Sequence, residues 1–260
     1  MSSGATSVSV VIPAYNEQAD IADALGRILE FAAASPGIGE IVVVDDGSTD
    51  DTAAIVEATR RRLMDSPVAL RLVRHPRNLG KGAAVRSGIL AAAGDLVLFT
   101  DADLSAPITE APRLLEPVGR GECDIAIGSR ALDRRLIGIR QGFFRENAGR
   151  IFNVLVRVLT RLPIRDTQCG FKVFRRQPAL PVFQAQRIGG FAFDVEVLYL
   201  AQRRGLRIRE VPVRWNHVAH TKVRLVRDSL RMFLDVLRIR WRTMRGGYGD
   251  AQAGADSGGS

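Results

Sequence analysis

Five short β-branched runs separated by four helical stretches occupy the first half of the chain, and this alternation constrains the fold more than any other feature. The runs are Val8–Ile12, Ile41–Val44, Leu70–Val73, Leu96–Phe99 and Ile125–Ile127. The stretches between them are Ala19–Ala34, Asp51–Leu63, Gly82–Ala93 and Thr109–Val118. Unbroken apolar runs suit strands covered on both faces, and helices between them provide the crossovers of a parallel sheet. The expected class is α/β: an open, mostly parallel, Rossmann-like sheet flanked by helices. Ligands of such sheets gather at the carboxyl ends of the strands. Polar residues cluster there: Pro13-Ala14-Tyr15-Asn16-Glu17 after the first run, Asp45-Asp46-Gly47-Ser48-Thr49-Asp50 after the second, Asp101-Ala102-Asp103 after the fourth and Gly128-Ser129-Arg130 after the fifth. Turn and capping needs account for Gly47 and for Ser48 or Thr49. They do not account for carboxylate pairs at two strand ends.

Asp101 and Asp103 are the central pair. Residues i and i+2 of an extended segment project the same way, and two carboxylates about 4 Å apart repel by about 4 kcal/mol at an effective dielectric near 20. A hard divalent cation relieves that repulsion. Mg²⁺ or Mn²⁺ on Asp101 and Asp103, with Ser105 or a water as a further ligand, is the expected occupant, bridging to substrate phosphates. The alternative is a solvated acidic turn. His75, His217 and His220 do not form a metal set, for no third ligand accompanies the last two.

The second half reads as a helix at Phe143–Leu162, strands at Lys172–Arg175 and Ile208–Val213, a helix at Phe193–Arg204 and a long helix from Lys222 to Arg245. Residues 8–220 are expected to form the catalytic domain and 221–246 a basic amphipathic helix; 1–7 and 247–260 are small and polar and read as tails. The charge balance is 37 basic against 28 acidic residues, a formal +9, and the only lysines are Lys81, Lys172 and Lys222. Nucleic acid, an anionic membrane, phosphorylated substrates or an arginine-rich codon bias would each account for it. Its distribution is informative. On a helical wheel Arg224, Arg227, Arg231, Arg238, Arg242 and Arg245 gather on one side of the last helix, with Leu225, Met232, Phe233, Val236, Leu237, Ile239 and Trp241 on the wide opposite side. Arg150, Arg157 and Arg161 repeat the design, set apart from Phe152, Leu155, Val158 and Leu159. Such helices lie in a bilayer interface or pack on a core with a wet face. Nucleic acid is disfavoured, because aromatic residues are only 6% and do not interleave with a basic groove. Two cysteines exclude a disulfide framework and suit a reducing compartment. No signal-like opening and no run of about 18 apolar residues are present, so the chain is expected to be soluble or peripheral, in the latter case at the cytoplasmic face of a membrane.

The blocks VSVVIPAYNE, IVVVDDGSTDDT, NLGKGAA, GDLVLFTDADLS and IAIGSR, in this order, resemble the family 2 glycosyltransferases of GT-A fold. Arg165–Phe174 (RDTQCGFKVF), Phe193–Gln202 (FDVEVLYLAQ) and Val211–Trp215 (VPVRW) are similar to the dolichyl-phosphate β-glucosyltransferases and their bacterial relatives. The resemblance spans about Ser7–Gly246. It implies that Pro13, Ala14, Tyr15 and Glu17 meet the nucleoside, that Asp46 beside Asp45 reads the base edge, and that Asn78, Gly80 and Lys81 close over the nucleotide. It implies that Asp101, Ala102, Gln168 and Lys172 also line the nucleotide-sugar site, with Asp166 and Gln168 shaping the sugar pocket. Arg130 and Arg145 would grip the acceptor phosphate, a task suited to the planar guanidinium. Asp103, Asp166, Asp194 and Glu196 are the expected catalytic carboxylates. Many relatives carry transmembrane helices at one end; their lack here leaves a membrane-protein partner open as the anchor.

The reaction implied is an inverting transfer of a sugar, glucose from UDP-glucose first, to a polyprenyl or dolichyl phosphate. An ionised phosphate monoester is already nucleophilic, so alignment and stabilisation of the leaving diphosphate would carry catalysis. The same reaction with UDP-N-acetylhexosamine or GDP-mannose is the alternative. A nucleotidyltransferase would share sheet, nucleotide and metal, but it opens with a glycine-rich, arginine-containing loop where this chain has PAYNE.

Overall fold

The computed structural model describes residues 6–35, 37–139, 156–216 and 225–248, with the backbone alone at 134, 137–139 and 225–230. Its strands are β1 (Val8–Ala14), β2 (Ile38–Asp45), β3 (Ala69–Arg74), β4 (Leu96–Thr100), β5 (Ile125–Ser129), β6 (Ile137–Ile139), β7 (Phe171–Arg175), β8 (Ile208–Pro212) and β9 (Trp215–Asn216). Its longer helices are α1 (Ile21–Ala34), α2 (Thr52–Arg62), α3 (Lys81–Ala91), α4 (Ala111–Gly119), α5 (Arg176–Ala185), α6 (Phe193–Arg203) and α7 (Leu225–Met244). Residues 156–160 are also helical, at the end of the stretch expected over Phe143–Leu162.

Seven strands form one sheet in the order β3-β2-β1-β4-β7-β5-β8, and β6 pairs with β9 in a separate ribbon. The strands β1 to β4 are mutually parallel, and β5 is parallel to β8. β7 is the exception. It enters between β4 and β5 and runs antiparallel to both, with Phe99 and Ile127 opposite Lys172. Because β7 runs the other way, its beginning, not its end, lies beside the carboxyl ends of β4 and β5. That reversal carries the segment 166–172 into the site.

Alternate strand residues feed two cores, as the period of a strand requires. Val10, Ile12, Ile41 and Leu98 pack with α1 and α4 on one face, against Ile28 and Leu114. Val11, Val42, Phe99 and Phe174 pack on the other against α3, α5 and α6, through Ile89, Phe183 and Phe193. The C-terminal helix joins this second core through Met232, Val236 and Ile239, while Leu234, Leu237, Trp241 and Met244 stay exposed. The broad apolar side read from the sequence is thus divided: one stripe is buried, and another faces solvent on the far side of the helix. Among the described residues no helix is long and apolar enough to cross a membrane.

Candidate active site

The acidic pair sits where β4 ends. Leu104 takes φ 46°, a conformation a bulky side chain rarely adopts, and its amide donates to the Asp101 carbonyl at 3.2 Å. This tight turn throws Asp103 outward, where its Oδ1 accepts from the Ser105 amide at 2.9 Å. Asp103 is open to solvent on one side, yet the surrounding protein, and Asp101 after it, push its carboxyl above the ordinary range. Lys81 Nζ lies 2.6 Å from Asp101 Oδ1. Burial works against the Lys81 charge, but Asp101 and then Asp194 outweigh it and hold the ammonium above its usual value. Gly170 leaves room for this pair: a Cβ there would displace the Asp101 carboxylate.

Two further ion pairs complete the cluster. Lys172, 1% exposed, donates to Asp194 Oδ1 at 2.6 Å and to the Cys169 carbonyl at 2.5 Å. Burial raises the Asp194 carboxyl despite Lys172 and Lys81. Arg130 grips Asp166 in bidentate fashion, at 2.7 and 2.8 Å, and donates its backbone amide at 3.0 Å. Although Asp166 is buried, Arg130 holds its carboxyl below the ordinary value. The guanidinium lies 5.2 Å from the Trp215 ring centre, and Glu210 accepts from the amides of Arg165 and Asp166 at 3.0 and 2.9 Å. Asp101, Asp103, Asp166 and Asp194 thus face Lys81, Lys172 and Arg130, leaving one carboxylate in excess. That excess, on the open side at Asp103, suits a cation. Among the described residues no group of three or more His, Cys, Asp or Glu could hold a metal, so phosphate or water oxygens would have to complete its shell.

The loops after β1 and β2 face each other. Asn16, at φ 54°, accepts from the Thr49 amide at 2.9 Å, and the Glu17 amide donates to Thr52 at 2.8 Å. Tyr15 and Asn78 are exposed, Pro13 and Glu17 half-buried, Ala14 buried. Asp45 is buried and accepts from the Ser48 amide at 3.0 Å and Arg74 at 3.3 Å. Asp46 receives the Leu79 and Gly80 amides at 3.0 and 2.8 Å and bonds His75 at 2.7 Å. Asp46, expected at the base edge, and Asp45 beside it thus hold the loops that follow β2 and β3. The role of His75 was not foreseen: its other ring nitrogen meets Ser87 at 2.9 Å, and no spacing in the sequence signals a partner on the next helix.

The expected carboxylates divide. Asp101, Asp103, Asp166 and Asp194 come together; Glu196 does not. Residues two apart on a helix are separated by about 200°, and Glu196 turns to Tyr248 and to the amides of Arg187 and Ile188. Gln168 is half-buried and its amide reaches Met232 Sδ of α7 at 3.9 Å. Arg145, His217 and His220 lie outside the described residues.

A mostly parallel sheet with an acidic pair and lysines at its strand ends suits an enzyme acting on a phosphorylated nucleotide, and comparison with known families makes it a glycosyltransferase. The chain belongs to glycosyl transferase family 2, whose model matches residues 9–181. It is 34% identical over 249 residues to a dolichyl-phosphate β-glucosyltransferase of Dictyostelium discoideum, covering 92% of this chain and 75% of that one. It is 35% identical over 256 residues to the enzyme of the same name from Saccharomyces cerevisiae, covering 94% and 77%. Its fold is similar to that of glucosyl-3-phosphoglycerate synthase from Mycobacterium tuberculosis in complex with UDP, with a TM-score of 0.66 and 23% identity over 91% of this chain and 80% of that one. The same enzyme has been solved with Mn²⁺ and UDP-glucose, at a TM-score of 0.65 and 22% identity, covering 93% and 79%.

Proposed function

We propose that this glycosyltransferase moves glucose from UDP-glucose to the phosphate of a polyprenyl lipid, inverting the anomeric centre to give a β-linked product. The observation that carries the reading is the Asp101–Asp103 pair with its Lys81 contact, walled in by the Lys172–Asp194 and Arg130–Asp166 pairs. Such a cluster suits a nucleotide diphosphate leaving from one side and a phosphate attacking from the other. The names of the relatives support glucose and the lipid phosphate.

The acceptor oxygen would attack the anomeric carbon as the bond to the diphosphate breaks. An ionised phosphate needs no strong base, so Asp194, already paired with Lys172, would orient rather than deprotonate. Lys81 is placed to neutralise charge on the departing diphosphate, and the Asp166-held Arg130 to present its remaining donors to the acceptor phosphate. Asp101 and Asp103 would hold Mg²⁺ or Mn²⁺, which supplies further neutralisation of the diphosphate. Asp45 and Asp46 would shape the nucleoside side through the loops they hold, with Tyr15 offering a ring face.

Because the acceptor is a lipid, the enzyme would work at the cytoplasmic face of a membrane, by itself or beside a membrane-protein partner. The exposed apolar stripe of α7 next to arginines supports this. The test is purified protein against UDP-glucose, UDP-N-acetylhexosamine and GDP-mannose with a short-chain polyprenyl phosphate. Turnover with UDP-glucose, abolished by EDTA, restored by Mg²⁺ or Mn²⁺ and absent in Asp103→Ala, is expected. Full turnover in chelator, or an α-linked product by NMR, would sink the proposal.

A further inference from the structure

We infer that Glu196, together with Tyr248 beyond the end of α7, positions the loop that grips the nucleotide; the inference rests on the donor-site reading above. Glu196 is fully buried. Its Oε1 accepts from the Tyr248 hydroxyl at 2.5 Å, and its Oε2 from the amides of Arg187 and Ile188 at 3.0 and 2.8 Å. Those amides open a turn whose next residue, Gly189, presents its carbonyl to the amides of Gly82 and Ala83 at 2.7 and 3.2 Å. Gln186 fastens the same turn, donating to the carbonyls of Gly82 and Ile188, each at 2.9 Å.

Gly82 and Ala83 are in the first turn of α3, whose opening amides have no partner within the helix. No side chain caps α3: its N-cap is Gly80. The carbonyl of Gly189 caps it instead. Gly80 approaches so closely that a Cβ there would overlap the Gly189 carbonyl oxygen. Lys81 stands between the two glycines and reaches Asp101. Three hydrogen-bonded links therefore run from the C-terminal segment to the lysine of the site: Tyr248 to Glu196, Glu196 to the 187–189 turn, and that turn to the start of α3. Glu196 acts only as an acceptor here. Its place is structural, and its reach is functional.

The substitutions Glu196→Gln, Glu196→Ala and Tyr248→Phe separate this role from a catalytic one. Glutamine keeps an oxygen for the two amides and can donate to the Tyr248 oxygen, so UDP affinity and kcat should stay near wild type. A carboxylate used in the chemistry would instead lose kcat by orders of magnitude. Glu196→Ala and Tyr248→Phe should each weaken UDP binding by calorimetry, and raise KM for the nucleotide-sugar, by about tenfold with a smaller change in kcat. Unchanged affinity in folded Tyr248→Phe, or a collapsed kcat in Glu196→Gln, overturns the inference. Hydrogen exchange of the amides at 82 and 83, measured without nucleotide, gives a readout independent of the function: faster exchange in Tyr248→Phe is expected, and unaltered exchange counts against the coupling. Failure of wild type to bind UDP, with exchange altered as expected, removes the donor reading and leaves the link standing.

Discussion

Lys172 shows how one residue can be both core and site. It lies between two strands with Phe99 and Ile127 opposite, and among the described residues Asp194 is the carboxylate that pairs with its charge. Removing one partner of a buried pair leaves an uncompensated charge and costs about 3–5 kcal/mol. Lys172→Met should therefore lower stability by that order in urea denaturation, and Lys172→Met with Asp194→Leu should recover much of it; a double-variant loss equal to the sum of the Lys172→Met and Asp194→Leu losses would show that the pair is not coupled. The cysteines make the opposite case. Burial pushes the Cys169 thiol up to about 12 and raises Cys123 as well, so neither should react with a thiol reagent at pH 8 in the native protein, and both should after denaturation. The strand-end carboxylates were legible in the sequence from their place after the fourth apolar run, but their direction was not, because β4 ends at Thr100 and Asp101 to Asp103 lie in a turn where strand periodicity no longer applies. The partners of Asp46 and Glu196 were not legible, because most are backbone amides of distant loops, and the side chains among them, His75 and Tyr248, lie far along the chain with no pattern linking them.

At the scale of elements, the five runs and four intervening helices appear within a few residues of their expected bounds. β7 was legible as a strand but not as antiparallel, since an apolar run carries no direction. α5 was missed because Pro178 and Pro181 lie within it; proline fits a first turn, but in a helix interior it forfeits a hydrogen bond that packing must offset. Here Val182 and Phe183 bury fully against the core, and Phe183 meets Phe174 edge to face at 5.1 Å. Gly80 gives the element-level test. It holds φ +100°, where an L side chain is strained, and it has the Gly189 carbonyl against it. Gly80→Ala should displace the start of α3, cost about 1–3 kcal/mol, and weaken UDP binding more than Gly26→Ala, on a helix with open space around the glycine. Equal effects at the two positions would remove the loop from the binding site.

Across the whole molecule, the formal +9 finds its clearest use on α7. Arg231 and Arg238 are exposed, and Arg245 lies 4.1 Å from the ring centre of Trp241. With about 3.6 residues per turn, Leu234, Leu237, Trp241 and Met244 share a stripe opposite Met232, Val236 and Ile239. A helix that only braces a core has no need of a second apolar stripe facing water, and an interfacial helix does. The helix also touches Gln168 through Met232, so docking its exposed stripe on a leaflet would set the proposed sugar pocket about one helix diameter from the headgroups. The chain should accordingly bind vesicles of phosphatidylserine and phosphatidylcholine and release in part at high salt, because exposed charges are screened beyond about 8 Å at physiological ionic strength. Arg231→Gln with Arg238→Gln should weaken binding and flatten its salt dependence. Leu237→Ser with Trp241→Ser should weaken it without changing that dependence, since burial of apolar area is not screened. All four positions are exposed, so melting temperature should hold, and turnover of a water-soluble short-chain acceptor should persist. Undiminished vesicle binding in both variants would falsify the docking of this face and leave the Arg150 region or a partner protein as the anchor.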